Sequence, residues 1–241
     1  MKKVFLSALA IATLSLTACD NGPKSGTEAQ ITDAKSVEQS STEAVAYVVD
    51  TNASSFKWEG HKKIDIGDSH NGTVNLKESD IMVAGNRITG GTFVMDMNSV
   101  NSLDLKGQDQ KQSKLVGHLK SPDFFDVAKY PTSKFEITSV KDSSINDNNT
   151  WVEGNLTIKD KTQNIGFPAK IEVKDDKATA KARVIIDRSK FDVRYDSESF
   201  FKNLAGNKII SNDITLDIDL VANKQDGGNT AGGESHEGHG H

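Results

Sequence analysis

The feature that most restricts the fold is a side-chain period of two, sustained over three long runs. Ile165, Phe167, Ala169, Ile171 and Val173 share one side of a segment. Ala178, Ala180, Ala182, Val184 and Ile186 share a side of the next, with Thr179, Lys181, Arg183 and Asp187 opposite. Ile214, Leu216, Ile218 and Leu220 alternate with Asp213, Thr215, Asp217 and Asp219. Alternation at 180° per residue is the pattern of a strand with one buried face. Shorter segments of the same character are Ser55–Gly60, Gly72–Leu76, Ile81–Val83, Asn86–Met97, Ser133–Val140 and Thr150–Lys159. Asn71-Gly72, Gly85-Asn86, the polar stretch Asp142–Asn149 and Lys174–Lys177 read as turns between them. Eight or so antiparallel strands with one apolar face make an all-β domain, and the pattern alone leaves barrel and sandwich open.

One interruption is not strand-like. Between Asp104 and Tyr130 the polarity is irregular, and Ser121-Pro122-Asp123 offers an N-cap, a proline at the first helical position and an early acid. A second short helix is expected from Ser197 through Asn203. The architecture expected is therefore strands with one or two short helices.

The flanks differ from this core. Lys2 and Lys3 precede an apolar run from Val4 to Leu16, then Thr17, Ala18 and Cys19. A basic start, a short apolar core and a small-residue cleavage point describe a secretory signal over residues 1–18. Leu16-Thr-Ala-Cys19 resembles the bacterial lipobox, which makes Cys19, the sole cysteine, the lipidation site and the mature N-terminus. Residues 19–43 are polar and read as a flexible tether. Residues 44–223 form the patterned domain, and residues 224–241 a Gly- and His-rich tail that reads as disordered. The expectation is a lipoprotein anchored in the cell envelope and facing the periplasm, in the inner or the outer membrane.

Loss of Lys2 and Lys3 leaves 27 of the 29 basic residues against 34 acidic ones, a net charge of −7. Nucleic acid, which needs a basic surface, is a poor partner for such a chain. No Gly-x-Ser-x-Gly, His-Glu-x-x-His, Gly-x-Gly-x-x-Gly or Gly-Lys-Ser/Thr loop occurs. With Cys19 committed to the anchor, no catalytic residue is assigned and the chain reads as non-enzymatic, without a cofactor. His118 near Asp123 and Asp126 fits capping or packing better than acid–base work. Arg183, Arg188 and Arg194 are candidates for an anionic headgroup, since guanidinium binds such oxygens bidentately. His236, His239 and His241 with Glu234 and Glu237 offer imidazole and carboxylate to zinc or copper, but without supporting structure. No metal site is assigned to them. Metal delivery through this tail is the rival reading.

The segment His118-Leu-Lys-Ser-Pro-Asp-Phe-Phe-Asp-Val-Ala-Lys-Tyr-Pro-Thr-Ser-Lys-Phe135 resembles the signature of the YceI-like family of bacterial lipid-binding proteins. Gly154-Asn-Leu-Thr-Ile-Lys159 and Ile186-Asp-Arg-Ser-Lys-Phe191 follow in the family's order, and Gly90-Gly91-Thr-Phe-Val-Met-Asp96 fits more loosely. The resemblance implies an eight-stranded antiparallel lipocalin-like barrel around an elongated apolar cavity that holds a polyisoprenoid. Ala178, Ala180 and Ala182 would leave room on one inward strand. Phe56, Trp58, Phe93, Met95, Met97, Phe135, Ile137 and Phe167 would face them as lipid-binding residues. The partners implied are an apolar lipid and, through Cys19, a membrane; a homodimer is left open. Where many members carry His-Ser before the first long strand, this chain has Trp58-Glu-Gly-His61 and His70-Asn-Gly72. Where they carry Arg-Asp before His-Leu, it has Gln108-Asp-Gln-Lys111. The headgroup chemistry is therefore not carried over.

Overall fold

The computed structural model describes residues 26–37, 43–65 and 67–225. The signal peptide, Cys19 and the histidines of the tail lie outside them. The elements are β1 (Thr27–Glu28), β2 (Gln30–Asp33), β3 (Val45–Val49), β4 (Ser55–Lys62), β5 (Ser69–Ala84), β6 (Arg87–Ser102), α1 (Asp109–Lys120), β7 (Thr132–Asp142), β8 (Thr150–Ile158), β9 (Lys161–Lys174), β10 (Lys177–Asp187) and β11 (Ile210–Lys224). β5 to β11 pair antiparallel with their sequence neighbours. β3 and β4 together form one split stave between β11 and β5. The result is a closed eight-stave antiparallel barrel, so of the two architectures the period allows, the chain adopts the barrel.

The strands reach further than the periodicity indicated. Gly72–Leu76 and Ile81–Val83 are parts of the single strand β5. Asn71-Gly72 is mid-strand rather than a turn, and the glycine has a packing reason: a Cβ there would lie 1.8 Å from the Asn101 carbonyl and 2.6 Å from Trp58 Cζ2. Glycine lets the indole ring lie across the neighbouring strand.

The helix also differs from expectation. It precedes Ser121 instead of following it. Pro122 disfavours helical backbone at the residue before it, and Ser121 accordingly takes φ −70°, ψ 168° as the C-cap, its N–H and hydroxyl both donating to the His118 carbonyl. Ser197–Asn203 is not a helix either. It forms turns, with the Ser197 hydroxyl donating to Asn212 and accepting from the Ser199 N–H. Short 3-10 helices occur instead at Arg188–Phe191 and Gly206–Lys208.

The largest departure concerns the tether. Within residues 19–43, β1 pairs parallel with β10 and β2 antiparallel with β9. Composition missed this because only Thr27, Ala29 and Ile31 turn inward, and Ala29 and Ile31 pack on the core. The segment is held by main-chain ladders on both edges, which require no apolar composition.

Loops at one end of the barrel join β4 to β5, β8 to β9 and β10 to β11, and α1 packs there against β6. This is called the α1 end; the β5–β6, β7–β8 and β9–β10 hairpins form the far end.

Candidate functional site: a tunnel inside the barrel

The inward side chains do not fill the barrel. They enclose a cavity of about 440 Å³, within the ~300–1,000 Å³ typical of small-molecule sites. Its walls bring together every residue the sequence singled out as apolar lining. Phe56 and Trp58 come from β4, Phe93, Met95 and Met97 from β6, and Phe135 and Ile137 from β7. Phe167 comes from β9, and Ala178, Ala180 and Ala182 from β10. Local sequence explains the arrangement. Phe93, Phe135 and Phe167 form a row of rings with centroids 6.3 and 5.8 Å apart. Phe135 reaches Phe167 across β8 only because Gly154 lies beneath it, where a Cβ would come within 2.3 Å of Phe135 Cζ. The three alanines are not equivalent. Ala178 is 1% exposed and belongs to the packed far end with Val49 and Ala222. Ala180 and Ala182 are half-buried because they face void, as do Ile214, Leu216, Ile218 and Leu220 of β11.

The α1 end has a different chemistry. Leu115 and Leu119 of α1 close over it with Phe124, Phe125 and Tyr195. The His118 ring stands edge-on to Tyr195 at 4.3 Å and to Phe124 at 5.5 Å, and its Nε2 lies 3.5 Å from Asp123. These residues were not expected in the lining. The Leu115–Leu119 spacing of four was the available signal, weak within so polar a helix. Among the cavity-lining side chains, Arg188 is 3% exposed. It donates Nε to the Ser211 carbonyl at 3.0 Å, Nη1 to Val193 at 2.9 Å and Nη2 to Ile210 at 3.1 Å. Three of its five N–H groups are thus committed to main-chain oxygens. No carboxylate pairs with it among the described residues. Burial pushes its pKa down to about 10, with Asp187 and Asp196 opposing that shift.

The other two guanidinium candidates are elsewhere. Arg183 is on the outer face of β10, paired with Asp217 and, at 3.4 Å, with Glu59. Arg194 binds Asp192 at 2.5 Å and stacks over Phe200 at 4.9 Å on the surface. Neither lines the tunnel, because Arg183 is on the outward parity of its strand and Arg194 leaves the 3-10 turn toward solvent.

One further polar group faces inward. Trp58 Nε1 is, among the described residues, the buried side-chain nitrogen or oxygen without a hydrogen-bond partner. A buried donor left unpaired costs roughly 1–3 kcal/mol. The rim near it carries His61, Lys62, Asp68 and His70. There His70 Nδ1 lies 2.8 Å from Asp104. Burial works against the Asp104 charge, but bonds from His70, the Asn71 N–H and Ser102 outweigh it and hold that carboxyl below its ordinary value. No group of three or more His, Cys, Asp or Glu able to hold a metal occurs among the described residues. The C-terminal histidines lie outside them.

A closed antiparallel barrel with an apolar tunnel, a helix over one end and a buried cation at that end defines a lipocalin-like fold. Residues 47–222 match the model of the YceI-like domain family, and the chain belongs to that family. A curated relative, a UPF0312 protein of Shewanella denitrificans, is 27% identical over 132 residues, which is 52% of this chain and 62% of the relative. The chain thus matches less than two thirds of that relative's length. Among solved structures, Burkholderia cenocepacia BcnA is 18% identical with a TM-score of 0.52, over 72% of this chain and 98% of that one. A polyisoprenoid binding domain from Saccharophagus degradans, implicated in plant cell wall breakdown, is 16% identical with a TM-score of 0.51, over 75% and 99%. These likenesses establish the shared fold.

Proposed function

We propose that this protein binds, without turning it over, an isoprenoid-type lipid: a long apolar chain ending in an oxygen-bearing group. The observation that carries the reading is the unfilled tunnel with its polarity at one end. The far end offers Val49, Ala178 and Ala222, while Arg188 lies at the α1 end. A hydrocarbon tail directed to the far end gains about 0.8 kcal/mol per buried CH₂. Its terminal oxygen meets the two uncommitted N–H groups of Arg188, and a second acceptor would satisfy Trp58 Nε1. The polyisoprenoid-binding description of the Saccharophagus domain supports the ligand class.

The setting we propose is the cell envelope, with Cys19 acylated and acting as the anchor. Six residues lie between Cys19 and Gly26, so the two are at most about 25 Å apart along an extended chain. The domain would thus stay close to the bilayer from which its ligand comes. Native mass spectrometry of the protein from its own cells, with extraction and identification of bound lipid, tests the reading. A prenyl-chain adduct is expected. Protein that carries no lipid and takes none up from a prenol-loaded vesicle would refute it.

A further inference from the structure

β9 and β10 pair with each other only from Lys170–Lys174 to Lys177–Lys181. Continued toward the α1 end, that register would set Gly166 opposite Ile185. Instead Gly166 faces Gln30 and Ile185 faces Glu28. One strand stands between them, so the two staves are two strand spacings apart, about 9–10 Å rather than about 5 Å. The divergence begins at Pro168, which has no N–H to offer a ladder. The walls on either side, Ile165 and Phe167 on β9 and Val184 and Ile186 on β10, line the tunnel.

We propose that this seam is a strand-accepting site whose occupant is the chain's own segment 26–37, and that release of the segment opens the tunnel sideways next to Arg188. The ligand such a site takes is an extended peptide, bound mainly through its backbone. The segment lies outside the family's matched residues 47–222, so it is an addition to the barrel rather than one of its eight staves. Its attachments are of the kind that open as a unit. The Ala29 N–H donates to the Ile185 carbonyl at 2.9 Å, and β2 adds four residue pairs to β9. The Asn155 side chain clamps the main chain of Lys35, accepting from its N–H at 3.0 Å and donating to its carbonyl at 2.6 Å. Lys35 Nζ reaches Glu153 at 2.5 Å. No side chain of the segment is fully buried, and only Thr27, Ala29 and Ile31 are half-buried. Few buried apolar contacts under an exposed ladder mark a region of low local stability. The inference that ligand passes here rests on the lipid-binding reading; the separability of the strand does not.

The test uses the full chain with Cys19→Ser, which removes the native thiol, carrying Asp33→Cys and Gln163→Cys at directly paired positions of β2 and β9. In the reduced protein, the amides of Gln30 and Thr32 in β2 and of Asn164 and Gly166 in β9, whose alternation along each strand turns them onto the shared ladder, are expected to exchange with deuterium about 100-fold faster than those of Lys170 and Glu172, and oxidation should abolish the difference. Uptake and release of geranylgeraniol bearing an anthraniloyl fluorophore should slow at least about tenfold on oxidation and recover on reduction, at unchanged equilibrium affinity. Ala29→Pro, which removes the donor to Ile185, should accelerate both processes in a chain without the crosslink. Exchange of β2 in step with the β9–β10 hairpin overturns the proposal, as does probe uptake indifferent to the crosslink. A probe that binds neither form would overturn the ligand reading alone, leaving amide exchange to decide the strand.

Discussion

Replacing Ala180 by Leu adds three carbons to the tunnel wall where β10 faces void beside Leu220. If a prenyl chain lies there, roughly three of its carbons must leave the apolar phase. At about 0.8 kcal/mol each the loss is roughly 2.4 kcal/mol, close to a 50-fold weaker affinity at 1.4 kcal/mol per decade. The same change should leave folding stability level or slightly raised, since the added carbons enter empty space. Ala178→Leu makes the contrast. Ala178 is 1% exposed in the packed far end, so three extra carbons force neighbours off their rotamers and cost about 1–3 kcal/mol of stability. Both variants can be titrated with a fluorescent prenol, reading energy transfer from Trp58, and unfolded in urea. The reasoning fails if Ala180→Leu binds like the parent chain, or if it loses as much stability as Ala178→Leu.

Other residues give independent tests. Arg188→Met strips the Ser211, Val193 and Ile210 carbonyls of their donor and should cost roughly 3 kcal/mol in urea unfolding. Arg188→Lys should recover part of that, and a Met variant as stable as the parent would show that the guanidinium does not hold these loops. Gly154→Ala sets a Cβ 2.3 Å from Phe135 Cζ and 2.7 Å from the Glu136 carbonyl; a melting temperature lowered by the equivalent of about 1–3 kcal/mol is expected, and an unchanged one contradicts the packing argument. Glu153 is held below its ordinary carboxyl range first by its hydrogen bond from Lys35, with Lys141 and Trp151 assisting against burial. A depressed carboxyl pKa stabilises above the unfolded value and loses that contribution as pH falls through the folded one. Amide protection of β2 should therefore drop as pH is lowered below about 4.5, and Glu153→Gln should show weaker protection at neutral pH with no further acid step.

Much of the barrel was legible because a closed antiparallel sheet writes its inside and outside directly into parity. Phe167, Ala180 and Leu216 face the tunnel for the same reason that Lys181 and Asp217 face water. For the arginines parity reaches only as far as β10. Arg183 continues the outward row of β10, whereas Arg188 follows the end of the strand and is turned inward by the 3-10 helix. Short-range signals read less well. Asn71-Gly72 has the composition of a turn, yet the glycine is there to seat Trp58, and no neighbour in sequence reveals that. Ser121-Pro122-Asp123 carries start and stop chemistry for a helix at once, and the extended backbone before Pro122 decided between them.

The sequence by itself determined the strand parity, the apolar lining set and the family, since each depends on residues read in order along the chain. Only the tertiary structure decided that the staves close into a barrel with a hollow interior. The same is true of Arg188 as the one guanidinium candidate within the tunnel, and of a polar N-terminal segment filling a gap between β9 and β10. Such features arise where strands distant in sequence meet. A hydrogen-bonded edge offers a backbone site to any extended chain of suitable reach, whatever its side chains spell.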